Sequence, residues 1–188
     1  MNLKLLPLLL GLPLLPGLQN LGAADVDMAQ LQQEAMGIVK KFGGSLKPEL
    51  QMAIKTGGPA HAISVCSEKA PSIAQSLSSE TGWTVKRVSL KARSETAVPD
   101  AWEKKALEEF DQRQANGESA AKMAYQEVVD GSFRFIKAQA VEAVCLGCHA
   151  AEIKSEVEAA LEQEYPNDKA RGYTLGQIRG AFSLSRDL

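Results

Sequence analysis

The chain has 188 residues, 45% of them hydrophobic, which supports one packed core and a single main domain. Its formal charge is −2 and no basic block or stripe occurs, which excludes an electrostatically driven nucleic-acid partner. The first 24 residues carry one positive charge, Lys4, then an apolar run from Leu5 to Leu15, then Gly22-Ala23-Ala24. That is the pattern of a secretory signal peptide cut after Ala24. A membrane anchor is the competing reading, but Pro7, Pro13 and Pro16 interrupt a run shorter than the ~20 apolar residues a span needs. Cleavage removes Lys4, the only charge in that stretch, and leaves a formal charge of −3. No later run is long enough to span a bilayer, so a soluble periplasmic protein is expected.

From Asp25 to Phe42, the apolar residues Met28, Leu31, Ala35, Ile38 and Phe42 recur three and four apart, the stripe of an amphipathic helix. Gly43-Gly44 is expected to end it. The stripe could serve a dimer, but packing on its own domain suits so short a segment better. Short helices are expected over Pro48–Thr56 and Pro59–Cys66, with Gly57-Gly58 between them, and another from Pro71 to about Ser79. Trp83–Leu90, rich in Val and Thr, reads as a strand. Asp100-Ala101-Trp102-Glu103 has capping-box form and starts a helix that buries Trp102, Leu107 and Phe110 and closes at Asn116-Gly117. Tyr125–Val129 and Phe133–Ile136 flank Asp130-Gly131, a strong hairpin signal. A helix using Ile153, Val157, Ala160 and Leu161 should run to Tyr165-Pro166, and Arg179–Ser185 should be a closing strand. This order implies few parallel crossovers. The expected fold class is α+β, an antiparallel sheet with surrounding helices. The expected organisation is a signal peptide over 1–24, an N-terminal helical segment over 25–56 and the main domain over 57–188.

Cys145-Leu146-Gly147-Cys148-His149, just beyond the hairpin, has the spacing of a c-type haem attachment site. Its two thiols can form thioethers to the haem vinyl groups, and the adjacent imidazole falls where it can bind the iron. Two other uses of Cys-x-x-Cys fit less well. A thioredoxin-like pair belongs early in a βαβ unit, and this one lies late, after a hairpin. A zinc site needs four ligands, and only Cys66 and His61 remain as further soft or imidazole donors. Export also suits the motif, because c-type haem is attached outside the bacterial inner membrane. His149 is therefore the candidate proximal iron ligand, binding through Nε2 while Nδ1–H donates to a carbonyl or water.

Candidates for the sixth ligand are Cys66, His61, Met52, Met123 and Met36. Methionine gives a high-potential carrier, histidine a lower potential, and thiolate a lower one still. The motif uses two of the three cysteines, leaving Cys66 without an internal partner in an oxidising compartment. Ligation to iron protects such a thiol, and so does simple burial as a small hydrophobe; the residues alone leave both open.

Several segments together resemble a group of bacterial c-type haem proteins and sensor domains with a PAS-like haem domain. Ala62-Ile63-Ser64-Val65-Cys66, with Ala70-Pro71-Ser72-Ile73-Ala74, looks like that family's distal-cysteine helix. Pro99-Asp100-Ala101-Trp102-Glu103 matches a further signature. Tyr165-Pro166-Asn167-Asp168, Gly172-Tyr173, Gly176 and Arg179-Gly180-Ala181-Phe182-Ser183 resemble the closing segment. The likeness runs from about Gly57 to Ser185 and implies a PAS-like fold, one covalent haem c, His149 as proximal ligand and Cys66 as distal ligand. One departure is Ser94-Glu95, where the family usually has Asn-Pro; that loop is expected near the haem edge. Lys91 and Arg93 are candidates to neutralise a propionate, weighed against surface ion pairing.

Three functions are in view. A His/Cys-ligated haem can sense redox state or a diatomic gas, since reduction weakens the thiolate bond and opens a site for carbon monoxide or nitric oxide. A periplasmic electron carrier would keep both ligands and dock a redox partner protein over the haem edge. A peroxidase needs a polar distal acid or base, and the sequence offers no convincing pair, so an enzyme is not expected. A homodimer is compatible with all of these.

Overall fold

The computed structural model describes residues 27–188; the expected signal peptide, its cut site and the first residues of the expected amphipathic helix lie outside them. Helix α1 (Met28–Thr81) starts at Asp27, whose carboxylate accepts from the Ala29 and Gln30 amides. It does not stop at Gly43-Gly44, as the sequence reading expected. A helical glycine costs about 1 kcal/mol relative to alanine. Burying an aromatic such as Phe42, which is 1% exposed, contributes about 1.5–3 kcal/mol and outweighs either glycine. The break falls instead at Gly58, whose φ of 76° no L side chain adopts easily, with Pro59 beginning the second half. The expected short helices are thus one kinked helix, ended at Gly82 in a left-handed cap.

The other elements are β1 (Thr84–Val88), α2 (Ala101–Ala115), β2 (Ala124–Val129), β3 (Ser132–Ala140), α3 (Leu146–His149), α4 (Ser155–Glu164) and β4 (Ile178–Asp187). The four strands form one open antiparallel sheet in the order β1-β4-β3-β2. The protein is therefore α+β, with helices packed on an antiparallel sheet. Asp130-Gly131 makes the turn of the β2–β3 hairpin, both residues at positive φ.

Alternation along the strands divides the core in two. Val85, Phe133, Phe135, Phe182 and Leu184 face Leu31, Ala35, Ile38 and Phe42 of α1. Val88, Ile136, Ala138 and Ala181 face Ala106, Leu107 and Phe110 of α2. Trp102 is only half-buried, stacked on Tyr125 beneath the Arg134 guanidinium. The capping box at Asp100 forms as expected, and its Glu103 has a further role. That buried carboxylate accepts from Ser183 at 2.5 Å and pairs with Lys86 at 2.9 Å, fixing α2 to β4 and β1. No helix among the described residues is long and apolar enough to cross a membrane.

Candidate functional site

β3 carries the chain directly to Cys145-Leu146-Gly147-Cys148-His149, through a 3-10 turn over Ala143–Cys145 into α3. Two small apolar clusters hold this segment. Cys148 packs with Ile63 of α1 and Val157 and Leu161 of α4, while Cys145 and Leu146 pack with Val141, Ala170 and Tyr173. The chain before β4 then straps the motif down. The Tyr173 amide donates to the His149 carbonyl at 2.9 Å and the Gly172 amide to the Ala150 carbonyl at 3.2 Å.

The motif opens onto a cleft of about 430 Å³ between α1 and the β1 and β4 edge of the sheet. Cys145, Cys148 and His149 lie on one wall, and Cys66, from the second half of α1, lines the same cleft. None of the three cysteines is joined to another in a disulfide. Of the other sixth-ligand candidates, Met52 is 60% exposed, Met36 is 39% exposed and His61 faces solvent. Met123 is buried across the sheet, under α2. None of the four lines the cleft.

His149 is oriented for coordination. Its Nδ1 lies 2.7 Å from the Ala170 carbonyl, which fixes the tautomer and leaves Nε2 unprotonated, with its lone pair directed into the cleft's basic lining at Arg179. Burial, with the Arg179 and Arg93 charges, pushes the imidazole pKa down to about 2, so it is neutral throughout the physiological range. Burial pushes the Cys66 thiol up, against the opposing pull of the Arg87 and Arg93 guanidiniums. No group of three or more His, Cys, Asp or Glu able to hold a bare metal ion occurs among the described residues.

Arg93 lines the cleft, but its guanidinium is engaged. It donates to the Cys148 carbonyl at 2.6 Å and to both Asp168 oxygens at 3.2 and 3.3 Å. Burial disfavours the Asp168 charge, but the Ala170 amide, Arg93 and Arg171 outweigh it and hold the carboxyl below the usual aspartate range. Lys91 is outside the cleft lining; its amine reaches the Arg171 carbonyl at 3.3 Å and sits over the Tyr173 ring. The Ser94-Glu95 departure falls beside the cleft, where Ser94 caps a 3-10 turn and Glu95 accepts from Asn167 at 2.8 Å.

Three basic residues in the lining, Lys86, Arg87 and Arg179, were not singled out as site candidates from sequence, and Lys86 is already paired with Glu103. Arg87 reaches across β4 to the Gln139 side chain at 3.1 Å. Arg179, 8% exposed, donates from Nη1 to Ser89 at 3.0 Å and sets its Nε 3.4 Å from His149 Nε2. The signal was present, because Arg87 lies two residues after the inward-facing Val85 in the same strand. No carboxylate lines the cleft among the described residues. Two thiols and an imidazole on one wall, a third thiol and a basic lining are a donor set that fits a covalently held haem.

The Tll0287-like family model matches residues 19–186. The chain belongs to the Tll0287-like family. Every segment that carried the sequence resemblance falls inside this match. Among solved structures, the crystal structure of the cyanobacterial heme-protein Tll0287 superposes with a TM-score of 0.63 at 23% identity. The alignment covers 88% of this chain and 97% of that one, so the two share a fold across nearly their full length. No curated protein matches the chain.

Proposed function

We propose that this chain is an exported, single-haem c-type cytochrome that senses redox state or a diatomic gas in the periplasm, and is not an enzyme. In this reading Cys145 and Cys148 carry the haem, His149 is its proximal iron ligand and Cys66 its distal one. The observation that carries the reading is the shared cleft. Of five candidate sixth ligands, only Cys66 lines the space onto which Cys145, Cys148 and His149 open. Family membership and the fold of the cyanobacterial heme-protein support it.

Haem held there would supply a one-electron iron couple and a coordination position able to take a diatomic gas. His149 is built to stay, since its neutral imidazole is tied to Ala170 and its backbone to Tyr173. Cys66 is the ligand able to leave. Burial pushes its thiol pKa up and outweighs the pull of Arg87 and Arg93 toward the thiolate, so off the iron the neutral thiol is the favoured form. It sits beyond the Gly58 kink, so its release bears on the half of α1 that reaches the sheet at Leu77.

An electron carrier with fixed ligands is the second reading. It is favoured by the buried Ala62 and Ile63, which clamp the helix turn that carries Cys66. Carbon monoxide added to the reduced protein separates the two. A sensor binds it, with a shift of the Soret band and loss of the sulfur ligand. A ferrous protein that stays six-coordinate and refuses the gas is a carrier.

A further inference from the structure

Arg87 and Arg179 share a feature that no other cation of the cleft combines with a buried setting. Neither guanidinium has a carboxylate partner among the described residues. Arg87 is satisfied only by the neutral Gln139 amide. Arg179 is satisfied by the Ser89 hydroxyl, the Lys91 carbonyl and, at long range, His149 Nε2. Arg93, by contrast, is already paired with Asp168. Burial of an unpaired charge is costly, and proteins meet that cost with a counter-charge. Two cations without carboxylates, in a lining that has no acid of its own, call for a ligand with two anionic groups.

On the reading of the site given above, we infer that Arg87 and Arg179 are the residues that hold the two haem propionates. Lys91 and Arg93, the candidates that sequence suggested, do not. Guanidinium suits the task because its planar donors match a carboxylate in two-point contact. The assignment also gives Arg179 a defined place on loading. Its Nε faces the nitrogen that takes the iron, so it must turn from His149 when His149 is coordinated. Arg179 is then a positioning residue, holding the imidazole before loading and a propionate afterwards.

The test uses the full-length, haem-loaded protein. Resonance Raman propionate-bending bands and the midpoint potential are recorded for wild type and for Arg87→Gln, Arg179→Gln, Lys91→Gln and Arg93→Gln. The two expected variants each shift one propionate band and lower the midpoint potential, since an unneutralised propionate stabilises ferric iron. Lys91→Gln leaves both readouts unchanged, and Arg93→Gln leaves the propionate bands in place. Arg179→Lys, which keeps the charge but not the two-point geometry, serves if Arg179→Gln does not accumulate, and shifts the same band. Unchanged propionate bands in the Arg87 and Arg179 variants, or shifts confined to the Lys91 or Arg93 variants, overturn the inference. Wild type without covalent haem would overturn the function proposed above, a separate outcome seen before any variant is compared.

Discussion

Asp168 is the residue through which stability and the haem site can be read together. Its side chain is 3% exposed and accepts from Arg93, from Arg171 at 3.3 Å and from the Ala170 amide at 2.9 Å. The Ala170 carbonyl in turn receives His149 Nδ1–H. Replacing Asp168 with Ala leaves the Arg93 guanidinium without a carboxylate, while Arg171 keeps Glu158 at 2.8 Å. Breaking a buried ion pair from one side costs about 3–5 kcal/mol. Arg93 and Arg171 are 13% and 30% exposed and can turn partly to water, which places the loss near the lower end, about 3 kcal/mol. Because the folded-state pKa of Asp168 lies below the ordinary 3.8, its contribution is fully present above 3.8 and is lost as pH falls through the lower folded value. Urea unfolding at a series of pH values measures this. The gap between wild type and Asp168→Ala should be about 3 kcal/mol at neutral pH and narrow as pH drops below 3.8. Asp168→Asn should lose the charge-dependent part and keep an acceptor for the Ala170 amide. A gap under about 1 kcal/mol, the scale of an exposed pair, or one that does not change with pH, refutes the reasoning.

Cys145→Ser and Cys148→Ser should each leave a single thioether, and the double variant should carry no covalent haem, as read by intact mass and haem staining of a denaturing gel. Covalent haem in the double variant would rule out this motif as the attachment site. Gly180→Ala should be strongly destabilising, because the new Cβ would lie 2.3 Å from the Val88 carbonyl oxygen and 3.0 Å from Ser89 Cβ. A cost of about 3 kcal/mol lowers the melting temperature by roughly 6–12 °C, and a melt within a degree of wild type would contradict it.

The hairpin, α2, α4 and β4 were legible in the sequence because their signals are local. Asp130-Gly131 specifies a tight turn, and the capping box at Asp100 and the Tyr165-Pro166 stop act within a few residues. α1 was not legible as one helix, because Gly43-Gly44 is a local signal to stop and Pro48, Pro59 and Pro71 are local signals to start a new helix. Phe42, Leu46 and Leu77 continue the helix by packing on a sheet made from strands far along the chain. The site divides the same way. Cys145, Cys148 and His149 are close in sequence, and their spacing alone suggests haem attachment. Arg87 and Arg179 sit on neighbouring strands, and only the β1–β4 pairing shows that both border one cleft. Lys91 illustrates the converse. It lies two residues from Ser89, which lines the cleft, yet the turn after β1 carries its amine toward the Arg171 carbonyl instead.

The central claim is a haem held between His149 and Cys66, and low-temperature EPR of the ferric protein tests it most directly, with Cys66→Ala alongside. The account predicts a low-spin signal with the narrow g-spread of thiolate ligation in the wild type, lost in Cys66→Ala while haem stays covalently attached. A wide-spread low-spin signal in the wild type that survives in Cys66→Ala would contradict it, placing histidine or methionine on the iron and leaving Cys66 as packing.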